Sequence, residues 1–300
     1  MSNENKPLTG VKICIDPGHY GRYNRCPNNS KYYESEMVWK LHLLQKKYLE
    51  ELGATVITTR TDSSKDLELT ARGKKSKGCN LFISDHSNAV GRAMNEKVDY
   101  VAVYHLFDDS TTKCDDVSKA IAFKIAPVIA ETMGTTQGYK VLTRKSGKDR
   151  NHDGIMNDNY YGVLHGARLV NTPGLILEHG FHTNSKTVTW LLNDANLDKL
   201  AKAEAVAIAE YFSEKKVDMK PDTSKTNTNI SSGVPYTIKV ANVGSGDVLY
   251  IRKEPTYKSA ENGKLVYNDP NVYTIIEEKN GWGKLKSGAG WINLKYTKKV

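Results

Sequence analysis

The chain has 300 residues, long enough for one sizeable core and a second, smaller unit. It contains no apolar run of the roughly 18 residues that a spanning helix needs, so membrane insertion is not expected. The formal charge of +9 favours polyanionic partners, but the lysines are scattered and no recognition helix or RNA-binding signature accompanies them, which argues against nucleic acid.

Met1–Gly10 is polar and lacks the apolar stretch of a secretory signal, so the expectation is synthesis in the cytoplasm without a signal peptide. Val11–Asp16 reads as a first strand. Val38, Leu41, Gln45, Tyr48 and Leu52 then recur at helical spacing, and Gly53 stops that helix. Thr55–Thr59, Leu81–Ser84, Tyr100–Tyr104, Lys140–Thr143 and Gly174–Glu178 read as further strands. Val117, Ile121, Ile125, Val128, Ile129 and Met133 mark a second long helix ending at Gly134, and the Ala-rich run Leu197–Phe212 marks a last one. This alternation predicts an α/β domain over residues 1–216 with a mostly parallel sheet flanked by helices. Residues 217–233 change to Ser, Thr, Asn, Lys and Asp and read as a flexible linker. Residues 234–300 are all-β in pattern, with short runs at Tyr236–Ala241, Val248–Arg252, Val272–Glu277, Trp282–Leu285 and Trp291–Leu294, and suit a small barrel. From Pro235 onward eleven Lys and Arg face six Asp and Glu, so about +5 of the charge lies there.

Cys14, Cys26, Cys79 and Cys114 show no CxxC spacing, which argues against a zinc knuckle and for reduced thiols. The residues suited to a metal lie elsewhere. His19 follows the first strand, where α/β ligand sites form, on a Pro17-Gly18 turn able to aim its imidazole outward. The alternative is a satisfied histidine in a tight turn. Glu34 opens the first helix, where a carboxylate also favours the helix dipole, and Glu36 competes with it for either role. His86 closes the Leu81–Ser84 strand. Glu178 ends a buried strand, and a charge in that place needs a partner or a task. Two imidazoles and one carboxylate hold zinc with a position left open, and a further carboxylate moves protons.

These segments resemble the zinc-dependent N-acetylmuramoyl-L-alanine amidases of the amidase-3 type, over nearly all of residues 11–215. The resemblance rests on Ile15-Asp16-Pro17-Gly18-His19, on Thr59-Arg60-Thr61-Asp62 with Arg72, on Leu81 through Ala89, and on Leu177 through Asn184. Glu34 also lies nineteen residues before Gly53, the family spacing, which selects it over Glu36. The resemblance implies a twisted, largely parallel sheet, one Zn²⁺ held by His19, Glu34 and His86, and Glu178 as the catalytic carboxylate. The bond cut would be the amide joining N-acetylmuramic acid to L-alanine in bacterial peptidoglycan. Asp85 departs from the pattern, which has an apolar residue there. Strand alternation favours its facing away from the site, and a bond to a ligand imidazole is the other reading.

Lys148–Asp158 resembles the opening of a calcium loop, with suitable oxygens at 149, 151 and 153 and glycine at 154. The twelfth position is Tyr160, so a surface turn is the favoured reading over Ca²⁺ at 149–158. His165, His179 and His182 surround the last motif as candidates to line a cleft, with His179 expected to point elsewhere. His42, His105 and His152 have ordinary structural readings. Leu249-Tyr250-Ile251-Arg252, Gly281-Trp282-Gly283-Lys284-Leu285 and Gly290-Trp291-Ile292 with Tyr296 resemble bacterial SH3 wall-binding domains. Trp282 and Trp291 suit either wall contact or the core of a small barrel, and the basic surface suits anionic wall polymers. The resulting expectation is an endolysin-like enzyme that reaches the wall after the membrane is breached. A host autolysin or spore-lysis amidase, a zinc carboxypeptidase and a non-catalytic wall-binding protein are the alternatives. Met219 stands before the linker, where an internal start would release a module able to self-associate with full-length chains.

Overall fold

Ile13, Cys14 and Ile15 are all fully buried, so strand β1 (Lys12–Pro17) is covered on both faces, as a central parallel strand requires. The computed structural model describes residues 6–107, 113–150, 152, 156, 158–219, 234–241, 243–244, 247–257, 259–267, 269–279 and 281–300. β1 pairs in parallel with β2 (Thr55–Thr58) on one side and with β3 (Leu81–Asn88) on the other. β3 pairs in parallel with β6 (Gly174–Phe181). Beyond it, β4 (Val101–His105) runs antiparallel to β6, and β5 (Tyr139–Leu142) is parallel to β4. The sheet order is therefore β2-β1-β3-β6-β4-β5, mostly parallel with one reversed junction.

Alternation along the strands divides the core in two. Ile13, Ile15, Leu81, Ile83, Leu175 and Leu177 face a layer made by α1 (Glu34–Glu51), α3 (Lys113–Met133) and α6 (Asp194–Met219). Cys14, Phe82 and Ile176 face the other way, toward α4 (Gly162–Leu169). α2 (Leu69–Lys74) lies so close to α4 that a Cβ on Gly73 would stand 2.1 Å from the Val163 carbonyl. α5 (Ser185–Leu191) starts at Asn184, whose side chain accepts from the Lys186 and Thr187 amides as an N-cap. The described cysteines are all free and buried. Among the described residues no helix is long and apolar enough to cross a membrane.

The chain divides into two compact units, Met1–Pro221 and Asp222–Val300. α6 outruns the expected Leu197–Phe212 at both ends and enters the segment expected to be a linker, whose remainder lies outside the described residues. The second unit is an antiparallel sheet of seven strands. These are β7 (Tyr236–Val240), β8 (Val248–Arg252), β9 (Glu261–Val266), β10 (Tyr273–Lys279), β11 (Trp282–Leu285), β12 (Trp291–Asn293) and β13 (Thr297–Lys299), in the order β13-β7-β10-β11-β12-β8-β9. Ile238, Leu249, Ile251, Leu265, Ile275, Leu285 and Ile292 form its core. Trp282 and Trp291 are buried, as the core reading of these residues requires.

Candidate metal centre

The turn that leaves β1 is shaped to present His19. Two buried arginines hold its carbonyls: Arg60 Nη2 donates to Pro17 O, and Arg72 Nη2 donates to His19 O at 3.1 Å. His19 itself has a φ of 58°, a left-handed conformation that a non-glycine residue adopts only where its surroundings impose it. Gly18 N donates to Asp85 O at 3.0 Å, which ties the turn to β3. At Gly18 a Cβ would lie 2.4 Å from His86 Cε1, so only glycine lets the turn approach that ring.

Glu34 reaches the same place from the first residue of α1, and His86 from β3. Glu34 Oε1 lies 3.1 Å from His19 Nε2 and 2.9 Å from His86 Nδ1. The possible ligand atoms of these three residues all fall within 4.8 Å of one another. Ser87 N donates to Glu34 Oε1 at 3.0 Å and Asn24 Nδ2 donates to Oε2 at 2.7 Å, so the carboxylate is held at both oxygens. Burial alone would raise the Glu34 carboxyl, but the two imidazoles hold it below the usual carboxylate range.

The tautomer of His86 follows from its neighbours. The Ser84 hydroxyl donates to Asp16 Oδ2 at 2.8 Å, so its contact with His86 Nε2 at 3.2 Å places the proton on Nε2. Nδ1 lies 2.9 Å from Glu34 Oε1, so a metal bound between them takes the place of a proton shared by the imidazole and the carboxylate. The donor set, two imidazoles and one carboxylate, suits zinc in composition and closeness.

Glu178 stands directly opposite His86 in the β3–β6 ladder. Its Oε2 is buried without a hydrogen-bond partner. Burial, and then the nearby Glu34 carboxylate, hold its carboxyl well above the usual range. His19, Glu34, His86 and Glu178 line one cleft of about 370 Å³, with Tyr161 and His182 among the other walls. His182 Nδ1 lies 2.9 Å from the Ser87 carbonyl, an acceptor only, so this nitrogen carries the proton.

Residues 13–210 match the family model described as N-acetylmuramoyl-L-alanine amidase, more than half of the chain. The chain belongs to this amidase family. It is 25% identical over 214 residues to the probable cell wall amidase LytH of Staphylococcus aureus, covering 71% of this chain. It spans 62% of the length of that relative. Among solved structures it is similar to the catalytic domain of CwlV, an N-acetylmuramoyl-L-alanine amidase from Bacillus (Paenibacillus) polymyxa var. colistinus. That match has a TM-score of 0.51 at 23% identity and covers 70% of this chain and 99% of that one. An N-acetylmuramoyl-L-alanine amidase from Clostridium difficile 630 gives a TM-score of 0.54 at 20% identity, over 70% of this chain and 98% of that one. Cwp6 from Clostridium difficile gives 0.55 at 23% identity, over 67% of this chain and 29% of that chain. These likenesses establish an amidase fold.

On that fold, the sequence-selected His19, Glu34, His86 and Glu178 meet at one cleft. Glu36 does not join them and instead pairs with Arg22 at 2.7 Å. Asp85 accepts from Gln45 Nε2 rather than bonding to a ligand imidazole. Of the three histidines near the last motif, His182 lines the cleft and His165 and His179 do not. Asn24, which the sequence did not single out, and Arg60 and Arg72, which marked the family resemblance without a stated role, hold the centre in place. Part of the calcium-like segment 149–158 lies outside the described residues.

Proposed function

We propose that the chain hydrolyses the amide bond between N-acetylmuramic acid and L-alanine of peptidoglycan, with a zinc ion held by His19, Glu34 and His86. The observation that carries this reading is the meeting of those three donors with an unpartnered, buried Glu178 oxygen at one cleft. A zinc ion bound there supplies Lewis acidity toward the scissile carbonyl and toward water. Glu178 takes the proton of the attacking water and delivers it to the departing amine of L-alanine. The elevated proton affinity given by its buried setting suits both halves of that transfer. Asp16 and Ser84 keep His86 in the tautomer whose Nδ1 is free to bind metal.

The second unit is proposed to be an SH3-like wall-binding module. In support, a groove of about 440 Å³ on this unit is lined by Tyr250, Tyr257, Trp282 and Tyr296 together with Asp247 and Arg252. Tyr257 is 60% exposed, so an aromatic face stands ready to stack on sugar or peptide. Tethering such a module to the amidase unit raises the local concentration of substrate. The setting proposed is that of a lytic, endolysin-like enzyme released to the wall from the cytoplasm. A host autolysin differs in reaching the wall of intact cells, which fractionation of growing cells distinguishes.

The test is mass spectrometry of purified peptidoglycan digested by the full chain, before and after chelation. Stem peptides beginning at L-alanine, lost with chelator and restored by zinc, are the expected products. A free terminal amino acid instead would indicate a carboxypeptidase, and uncleaved wall that still binds the chain would indicate a binding protein.

A further inference from the structure

Behind the metal centre, four buried polar side chains form a hydrogen-bonded chain that neither metal binding nor proton transfer uses. His179 Nδ1 lies 3.0 Å from the carbonyl of His86, and His179 Nε2 lies 2.7 Å from Glu204 Oε1. Gln45 Nε2 donates to Glu204 Oε2 at 2.8 Å and to Asp85 Oδ1 at 3.0 Å. Gln45 is 3% exposed, Glu204 1%, and Asp85 and His179 not at all. His179 is therefore held at both ring nitrogens, by a backbone carbonyl on one side and a carboxylate on the other.

Packing does not account for this cluster. Apolar side chains of similar volume usually fill a buried ionic site at no loss of stability, and often at a gain. Asp85 Oδ2 and Gln45 Oε1 even remain without partners, so the arrangement is not optimised as a stabilising network.

Its placement suggests the task. The four residues sit on α1, β3, β6 and α6, and the first three of these elements carry Glu34, His86 and Glu178. The cluster touches the centre at the backbone of His86, where the β3–β6 ladder is irregular. His86 pairs with Glu178 but Asn88 pairs with Phe181, so β6 holds one extra residue over this step. A bulge re-aims the side chains beside it and leaves the local ladder weakly determined. His179 Nδ1 meets the His86 carbonyl at that step, and Glu204 on α6 holds the other ring nitrogen from behind.

We propose that Gln45, Asp85, His179 and Glu204 are positioning residues of the metal centre, which set the His86 peptide plane and the β3–β6 spacing so that His86 and Glu178 face the ion together. The inference rests on the metal reading given above. It differs from the usual support of a ligand histidine, because it acts on the ligand's backbone rather than on the far nitrogen of its ring, a place taken here by Ser84.

The test replaces the whole cluster with apolar residues, as Gln45→Met, Asp85→Leu, His179→Leu and Glu204→Met in one full-length variant. Zinc affinity is read by competition with a chromophoric chelator, the ligand field by the visible spectrum of the Co²⁺-loaded protein, and folding by thermal unfolding of the metal-free chain. Cooperative unfolding with zinc affinity lowered roughly 10–100-fold and an altered cobalt spectrum is the expected result. A folded variant with wild-type zinc affinity and cobalt spectrum overturns the proposal. If that variant does not fold, Glu204→Gln decides, since it keeps the side-chain shape while removing the charge that holds His179. A several-fold loss of zinc affinity is then expected, and no change overturns the inference. Wild-type chain that binds no zinc would sink the metal reading itself, and shows in the first arm before any variant is compared.

Discussion

Replacing Gly18 with alanine tests the centre at its tightest point. The added methyl would lie 2.4 Å from His86 Cε1, 2.7 Å from His86 Nδ1 and 2.6 Å from the Asp85 carbonyl. Comfortable contact begins near 3.5 Å, so something must yield by about 1 Å. The carbonyl is poorly placed to do so, because it accepts from the Gly18 amide at 3.0 Å. The His86 ring or the His19 turn must therefore move. Overpacking of this kind costs about 1–3 kcal/mol of stability, and a shift of about 1 Å among reacting groups costs on the order of 10²-fold in turnover. Zinc content after dialysis and the rate of stem-peptide release from purified walls measure the two effects. Gly21→Ala is the control. Gly21, unlike Gly18, has a positive φ, of 55°, and a Cβ there meets nothing within 4 Å. It should lose some stability through backbone strain and keep its zinc. Full zinc content and wild-type turnover in Gly18→Ala would refute the geometry argued for the centre.

Three further outcomes are expected. Glu178→Gln should retain zinc and lose about 10²–10⁴-fold in turnover, read by peptide release and metal analysis, and activity at the wild-type level would remove Glu178 from the proton pathway. His42 is buried, and burial lowers its pKa from 6.5 to about 4. The unfolded chain thus gains a proton near pH 6.5 that the folded chain refuses until about 4. Its contribution is complete above pH 6.5 and falls away by about 3 kcal/mol as the pH drops to 4. Urea denaturation of metal-free wild type and His42→Phe should show that difference in slope, and parallel curves would contradict it. Tyr257→Ala should weaken wall binding by about tenfold, the loss of one stacked aromatic, with unchanged release of peptides from soluble muropeptides. Equal sedimentation with walls would count against the groove.

The elements that were legible in the sequence are those buried by their own pattern. β1 and the first halves of β3 and β6 are apolar and buried on both faces, and Val38, Leu41, Gln45 and Tyr48 mark α1 by their helical spacing. The helices α2, α4 and α5 were not legible, because each is short and two of them contain glycine, which isolated propensity disfavours. Their glycines make sense only in three dimensions. A Cβ on Gly166 would stand 2.2 Å from the Thr70 carbonyl, so α2 and α4 exist as a pair through contact that no side chain would permit. β9 was missed for the opposite reason: of its six residues only Leu265 is buried, and an edge strand with one inward side chain has no alternation to detect. The reversal between β6 and β4 leaves no trace in composition, since a strand reads alike in either direction.

The candidate site divides along the same line. His19, Glu34, His86 and Glu178 stand out because imidazoles and carboxylates at the ends of buried runs are chemically costly where they sit. Asn24, Ser84 and Arg72 are as necessary to the geometry and carry no such mark. A serine becomes informative only once its proton is seen to go to Asp16, because that leaves its oxygen to take the Nε2 proton of His86. Arg72 is among the largest fully buried side chains in the molecule, yet its charge meets Asp66 at 2.7 Å and Asp16 at 3.7 Å. The same guanidinium donates to the backbone of His19. One arginine thus joins the strand end that orders the His86 tautomer to the turn that aims His19. The two imidazoles are therefore not set independently: the Asp16–Arg72 pair couples the orientation of one to the backbone of the other. That coupling links residues 16, 19, 72, 84 and 86, a span over which no sequence period reaches.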